Sequence, residues 1–140
     1  MLFRSVFAAG GGESRPRLWN ARTFKELAPL AELYKYVACL ALSPDGKWLV
    51  TGGVDKTGEG RYAVRLWSVG LKEPVRELTF DQRINSIAFA PDGKKIAAGF
   101  GDGAVRVWDD TLTRETFSAH AAGDESKGAN TAWSMASIRR

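Results

Sequence analysis

The chain has 140 residues, 44% apolar, 26% charged and 11% aromatic, with 20 basic against 16 acidic side chains for a net charge of +4. That balance suits one ordinary globular domain and excludes a disordered tail, a collagen-like fibre and a disulfide scaffold. The longest apolar runs, at 37–42 and 96–100, fall far short of the ~20 residues that span a bilayer.

Residues 1–7 carry one Arg and a few apolar side chains, then run into Gly10, Gly11, Gly12 and Glu13. That is too short for a signal peptide, so the expected location is the cytoplasm. Segment 24–36 comes nearest to a helical period, but Pro29 interrupts it. The rest of the chain repeats itself. VACLALSPDG at 37–46 returns as INSIAFAPDG at 84–93, and AVRLW at 63–67 returns as AVRVW at 104–108. The first offset exceeds the second by six residues, which places an insertion between 54 and 62, in the manner of a surface hairpin loop.

Residues 1–30 read as a further copy without its opening block. VFAAG at 6–10 aligns with LVTGG at 49–53 and IAAGF at 96–100, and RLW at 17–19 aligns with RLW at 65–67. NTAWSMA at 130–136 is a weak match to the start of another copy, leaving 130–140 as the beginning of a further repeat. Alternation of apolar with small or polar residues makes the units strands. The expected strands are 37–43, 47–53, 62–68 and 74–80 in one repeat, then 84–90, 95–100, 104–109 and 112–118 in the next. Pro44, Asp45 and Gly46, and again Pro91, Asp92 and Gly93, supply type I turns: Pro presets φ and Gly ends the turn. Gly101, Asp102 and Gly103 form a tight connection. Cys39, the single cysteine, lies inside a strand and reads as a small buried hydrophobe. A strand apolar on both faces, as at 37–43, must be covered on both, which a radial stack of four-stranded sheets provides.

These turns, the VRLWS and VRVWD blocks and the period of 41–48 residues resemble the WD40-repeat β-propeller family over about residues 5–118. The resemblance implies an all-β fold of four-stranded antiparallel blades, about three blades' worth, in an incomplete ring. It covers repeats at 37–80 and 84–118, with a partial one at 1–30. Trp19, Trp67 and Trp108 take the structural strand-c position. In the family a His, a Ser or Thr, an Asp and this Trp staple each blade. The second repeat keeps Thr51, Asp55 and Trp67 without the His. The third keeps Asp102 and Trp108, with Ala98 for the hydroxyl and Arg83 near the His place. No staple is complete, so packing is expected to carry the fold. His120 would serve the truncated fourth copy. Propellers close with typically 4–8 blades, so three blades leave a fragment of a longer propeller, a ring completed by other copies, or an open stack with exposed edges. The fragment is the preferred reading.

Chemistry is not expected. His120 has no Gly-x-Ser-x-Gly partner, and two His/Cys residues 81 positions apart cannot supply the four ligands of structural zinc. The pairs Asp109–Asp110 and Asp124–Glu125 read as solvated loop ends. The glycines at 99, 101 and 103 lead into a strand, whereas a phosphate loop leads into a helix. No catalytic residue, metal or cofactor follows, and no small-molecule substrate is implied.

The resemblance implies partner binding through loops on one face. The residues there are Glu13, Ser14, Arg15, Tyr34, Lys35, Tyr36, Lys56, Glu59, Arg61, Tyr62, Asp81, Arg83 and Asp102. Protein partners are expected on a non-catalytic scaffold, since Tyr and Arg recur at interface hot spots. The alternatives are a polyanion or nucleic-acid surface built on Arg15, Lys35, Arg61 and Arg83, and a non-functional fragment of a larger propeller protein; nucleic acid and membrane are not the expected partners.

Overall fold

The computed structural model describes residues 6–10, 12, 14–58 and 60–120. The described residues hold ten strands: β1 (Val6–Ala9), β2 (Arg17–Asn20), β3 (Tyr34–Leu42), β4 (Trp48–Asp55), β5 (Tyr62–Ser68), β6 (Pro74–Phe80), β7 (Ile84–Phe89), β8 (Lys95–Phe100), β9 (Ala104–Asp109) and β10 (Glu115–His120). All pair antiparallel between sequence neighbours, giving a two-stranded sheet β1–β2 and two four-stranded sheets, β3–β6 and β7–β10. The fold is all-β, an open succession of blades that does not close on itself among the described residues.

Local chemistry sets the hairpins. Gly46 N–H donates to the Ser43 carbonyl at 2.9 Å and Gly93 N–H to the Ala90 carbonyl at 2.8 Å. Both glycines sit at positive φ, 75° and 76°, which a Cβ would oppose. Ser43 Oγ tightens the first turn by donating to Asp45 and accepting from the Trp48 N–H.

Alternation then sends neighbouring residues of one strand into different layers. Leu49 and Trp67 pack with Val6, Ala8 and Leu18, between β3–β6 and β1–β2. Val50, Val64 and Leu66 pack with Ile87, Phe89, Ile96 and Trp108, between β3–β6 and β7–β10. Each fully buried Leu or Ile contributes roughly 1.5–3 kcal/mol, and these two layers hold the sheets face to face. Cys39 lines the second layer with its thiol donating to the Gly52 carbonyl, and burial pushes its pKa up to about 12.

Several sequence expectations change. Strand β3 begins at Tyr34, three residues before the expected 37. Strand β10 runs 115–120, against an expected 112–118. The Asp109 carboxylate accepts the N–H groups of Thr111 and Thr113, and Leu112 takes a φ of 58°, so 110–114 is a turn. His120 therefore ends a strand instead of following one. Within 21–30 the fourth strand of the partial repeat shrinks to a single Trp19–Glu26 bridge. The partial repeat also slips by one residue. Phe7 pairs Trp19 as Leu49 pairs Trp67 and Ile96 pairs Trp108. Hence FAAG at 7–10 matches IAAG at 96–99, where the expected alignment started at Val6. A one-residue slip exchanges the faces of a whole strand, and close approaches fix the new register. A Cβ on Gly10 would meet Val37, as one on Gly52 would meet Ile84. The suggested repeat start at 130–136, with Trp133, lies outside the described residues.

Candidate partner-binding face

One end of the sheets gathers the start of β3, the β4–β5 loop, the β6–β7 link and the β8–β9 turn. Its frame is a buried polar network. The Tyr34 hydroxyl and Thr51 Oγ1 share a hydrogen bond of 2.6 Å, and Trp67 Nε1 donates to the same oxygen at 2.9 Å. Tyr34 thus occupies the place left open by the missing His. The staple judged incomplete from the sequence is closed in the middle blade. Burial pushes the Tyr34 phenol up to about 12, outweighing its bonds from Thr51 and Arg65.

Arg65 carries the network outward. Its guanidinium donates to Asp55, to Glu77 Oε1 at 3.0 Å and to the Leu33 carbonyl at 3.1 Å, and lies 4.6 Å over the Tyr34 ring. Arg65 and Asp55 are 3% and 5% exposed, so neither charge is met by bulk water. Burial pushes the Asp55 carboxyl up, but bonds from Thr57 and Arg65 more than reverse this and hold it below the usual carboxylate range. A buried pair is stable only when both charges are hydrogen-bonded, and here both are.

This network anchors the long loop. Asp55 receives the Thr57 hydroxyl and backbone N–H. Asp55 N–H bonds the Arg61 carbonyl at 2.9 Å, and Lys56 bonds back to residues 32–33 through its N–H and Nζ. A cleft of about 480 Å³ opens beside the loop, lined by Gly60, Arg61, Thr79, Phe80 and Asp81. Phe80 stacks edge-on against Phe100, and Arg106 lies 5.4 Å over the Phe80 ring. Next to it the Gly101 N–H bonds the Arg83 carbonyl at 2.7 Å, tying the β6–β7 link to the β8–β9 turn. His120 Nε2 reaches the Asp102 carbonyl at 3.0 Å, with the Asp102 carboxylate 3.8 Å away.

The structure sorts the residues singled out from the sequence. Lys35, Tyr36, Lys56, Arg61, Asp81, Arg83 and Asp102 are exposed, and Tyr62 is half-buried. Tyr34 is 1% exposed and locked in the staple, so its assignment to a contact surface is corrected to a structural one. Ser14 is half-buried, and its carbonyl accepts the Tyr34 N–H. Arg15 is paired with Glu32 at 2.9 Å, which withdraws it from a set of free cations. Glu13 and Glu59 lie outside the described residues. Arg65 and Arg106 were missed, although the signal was present: an Arg two residues before each strand Trp shares that Trp's face. The opposite end carries a second cleft of about 250 Å³ around Trp48, lined by Asp45, Asp92, Lys94 and Asp110. Among the described residues no three His, Cys, Asp or Glu side chains cluster as metal ligands, and no helix is long and apolar enough to cross a membrane.

Four-stranded blades, the middle one stapled, with loops gathered at one end define a β-propeller module, and comparison with known proteins agrees. Residues 28–57 and 72–109 match the family model WD domain, G-beta repeat. The chain belongs to the WD40-repeat family. Similar proteins include the Periodic tryptophan protein 2 homolog of Schizosaccharomyces pombe, 31% identical over 66% of this chain and 10% of that protein. The U3 small nucleolar RNA-associated protein 18 homolog of Homo sapiens is 33% identical over 77% of this chain and 20% of its own length. The Small ribosomal subunit protein RACK1 of Drosophila melanogaster is 28% identical over 74% of this chain and 33% of its own length. The chain thus spans a tenth to a third of these relatives.

Proposed function

We propose that the chain is a non-catalytic interaction module that holds a protein partner on the loop end of its blades. The observation that carries this reading is the cleft lined by Arg61, Phe80 and Asp81, beside a loop anchored to the buried Asp55–Arg65 pair. Pre-organised loops limit the ordering entropy that weakens association, and a cleft lined by an aromatic ring and an Arg has the composition of a hot spot. Arg61 and Arg83 make no ion pair among the described residues, so both are available to acidic groups of a partner.

A second reading has support from two relatives, whose names place them with small nucleolar RNA and the small ribosomal subunit. On that reading Lys35, Arg61 and Arg83 contact phosphates. Affinity purification separates the two. Wild type is expected to retain protein partners after nuclease treatment that Arg61→Glu/Arg83→Glu loses, while circular dichroism of the two chains coincides. Capture that vanishes with nuclease, together with binding of a generic RNA that weakens steeply with salt, would replace the first reading with the second.

A further inference from the structure

The middle blade, β3–β6, carries a neighbouring sheet on each face, β1–β2 on one and β7–β10 on the other. Its outer strand β6 is bonded on one side alone, to β5. Sheets stacked on either face cannot reach that edge, so its exposure does not depend on what precedes or follows this sequence.

The ladder shows which backbone groups the edge offers. Asp55 N–H bonds the Arg61 carbonyl and Val69 N–H bonds the Lys47 carbonyl. Antiparallel pairing alternates, so odd-numbered residues of β5 turn their backbone groups to β4 and even-numbered ones turn to β6. The bonded pairs across β5–β6 are therefore Tyr62–Phe80, Val64–Leu78 and Leu66–Arg76. Glu77 and Thr79 turn N–H and carbonyl outward, and among the described residues no other backbone group meets them. Sheet edges are ordinarily blunted by proline, bulges or charged side chains. On β6 both Pro74 and the register shift lie at the start of the strand. Its two charged side chains are drawn onto the faces. Arg76 donates to the Leu112 carbonyl at 3.2 Å, and Glu77 accepts from Arg65 at 3.0 Å. From Arg76 to Phe80 the edge is unguarded, and it runs into the cleft lined by Arg61, Thr79, Phe80 and Asp81.

We propose that β6 is a strand-addition site: an extended segment of a protein partner pairs antiparallel with Glu77 and Thr79, its acidic start placed at Arg61 and Arg83. The proposal rests on the loop-end reading of function and supplies its mode of binding, main-chain hydrogen bonds for affinity and alternate side chains for specificity. Opposed residues share a face. Partner residues bonded to Glu77 and Thr79 therefore lie on the Arg65 face and are polar. The residues between them lie beside the half-buried Leu78 and Phe80 and are apolar. Charge fixes the occupant: two unpaired cations on a chain of net charge +4 favour an acidic partner over a second copy of β6.

The probe is a synthetic peptide, acetylated, amidated and fluorescent, with two aspartates followed by alternating threonine and valine. Its binding to the full chain is read by fluorescence anisotropy, and amide hydrogen exchange is read by NMR. Binding is expected to slow exchange at Glu77 and Thr79. A peptide N-methylated at its threonines should lose binding, and one N-methylated at its valines should keep it, because only the threonine amides face β6. Thr79→Pro removes an outward N–H from an edge strand, where proline is tolerated. It should weaken binding about tenfold or more, the worth of one or two hydrogen bonds, while Thr79→Val binds as wild type. No binding, equal binding of the two methylated peptides, or unchanged exchange at Glu77 and Thr79 overturns the proposal. So does a folded Thr79→Pro chain that binds as wild type; the methylated pair decides the matter should that variant misfold. A chain dimeric without peptide and made monomeric by Thr79→Pro overturns it in favour of a second copy. The two readings fail separately. Partners lost with Arg61→Glu/Arg83→Glu but kept by Thr79→Pro leave the loop end standing and remove strand addition. Partners kept by Arg61→Glu/Arg83→Glu remove the loop-end reading, and the acidic start of the segment with it.

Discussion

Removing the Asp55 carboxylate tests whether the buried network or apolar packing alone holds the middle blade. Asp55→Ala leaves the Arg65 guanidinium 3% exposed, with only Glu77, the Leu33 carbonyl and the Tyr34 ring as company. Breaking a buried pair from one side typically costs about 3–5 kcal/mol. The surviving partners put Asp55→Ala at the lower end, about 3 kcal/mol. Glu77, on the same guanidinium, has a side chain 47% exposed. Glu77→Ala should therefore cost no more than about 1 kcal/mol. For a chain of this size about 1 kcal/mol moves the melting temperature by roughly 3–4 °C, so the two variants should differ by several degrees in calorimetry. Combining Asp55→Ala with Arg65→Met removes both charges. That double variant should be less damaged than the sum of the two single ones, with a coupling of at least ~2 kcal/mol. Equal losses for Asp55→Ala and Glu77→Ala, or an additive double variant, would refute the argument.

Other consequences follow from the same contacts. Trp108→Ala should destabilise by about 3–5 kcal/mol, by emptying the layer between the two four-stranded sheets, as urea unfolding will show. Gly53→Ala should be among the most disruptive small changes, because its Cβ would lie 2.3 Å from the Tyr36 carbonyl; Gly12→Ala, where nothing lies within 4 Å, is strained only by its φ of 77° and should matter much less. In alkali the raised Tyr34 pKa gives a stability contribution complete below the ordinary phenol value of about 10 and lost as pH climbs through about 12. Tyr34→Phe should therefore flatten the alkaline limb of a melting-temperature profile. In acid the sign reverses. The backbone N–H of Thr113, with Thr111 and Thr113 hydroxyls, holds the Asp109 carboxyl at about 2. Its contribution is present above about 4 and lost as pH falls toward 2, so Asp109→Asn should show a shallower acid decline.

The blades were legible because their signals are local. The Pro-Asp-Gly turns, the alternation at 63–67 and 104–108 and the paired Trp each depend on neighbouring residues, and each recurs. The register of β1 was not legible. With Ala8 and Ala9 small on both sides, either phase of 6–10 reads as a half-apolar strand, and only the packing of Gly10 against Val37 decides between them. The staple of the middle blade was hidden for a different reason. Tyr34 sits 17 residues from Thr51, and a search for His at that place overlooks a phenol that makes the same bond. The roles of Arg65 and Arg106 were visible as a repeated residue on the Trp face. Their partners were not, since Leu33 and Tyr34 meet Arg65 only once β3 and β5 share a sheet. At the candidate face, the sequence supplied the loops but not the pairing of Arg15 with Glu32 or the burial of Tyr34.

On the function proposed here, partners engage the loop end of the blades, beside Arg61 and Phe80, and not the turn end around Trp48. A photo-reactive amino acid placed at position 61 or at position 94 in otherwise native chain tests it directly, with cross-linked products identified by mass spectrometry after nuclease treatment. Protein adducts that recur between preparations are expected from position 61, and none from position 94. Adducts from position 94 alone, or equally from both, would contradict it.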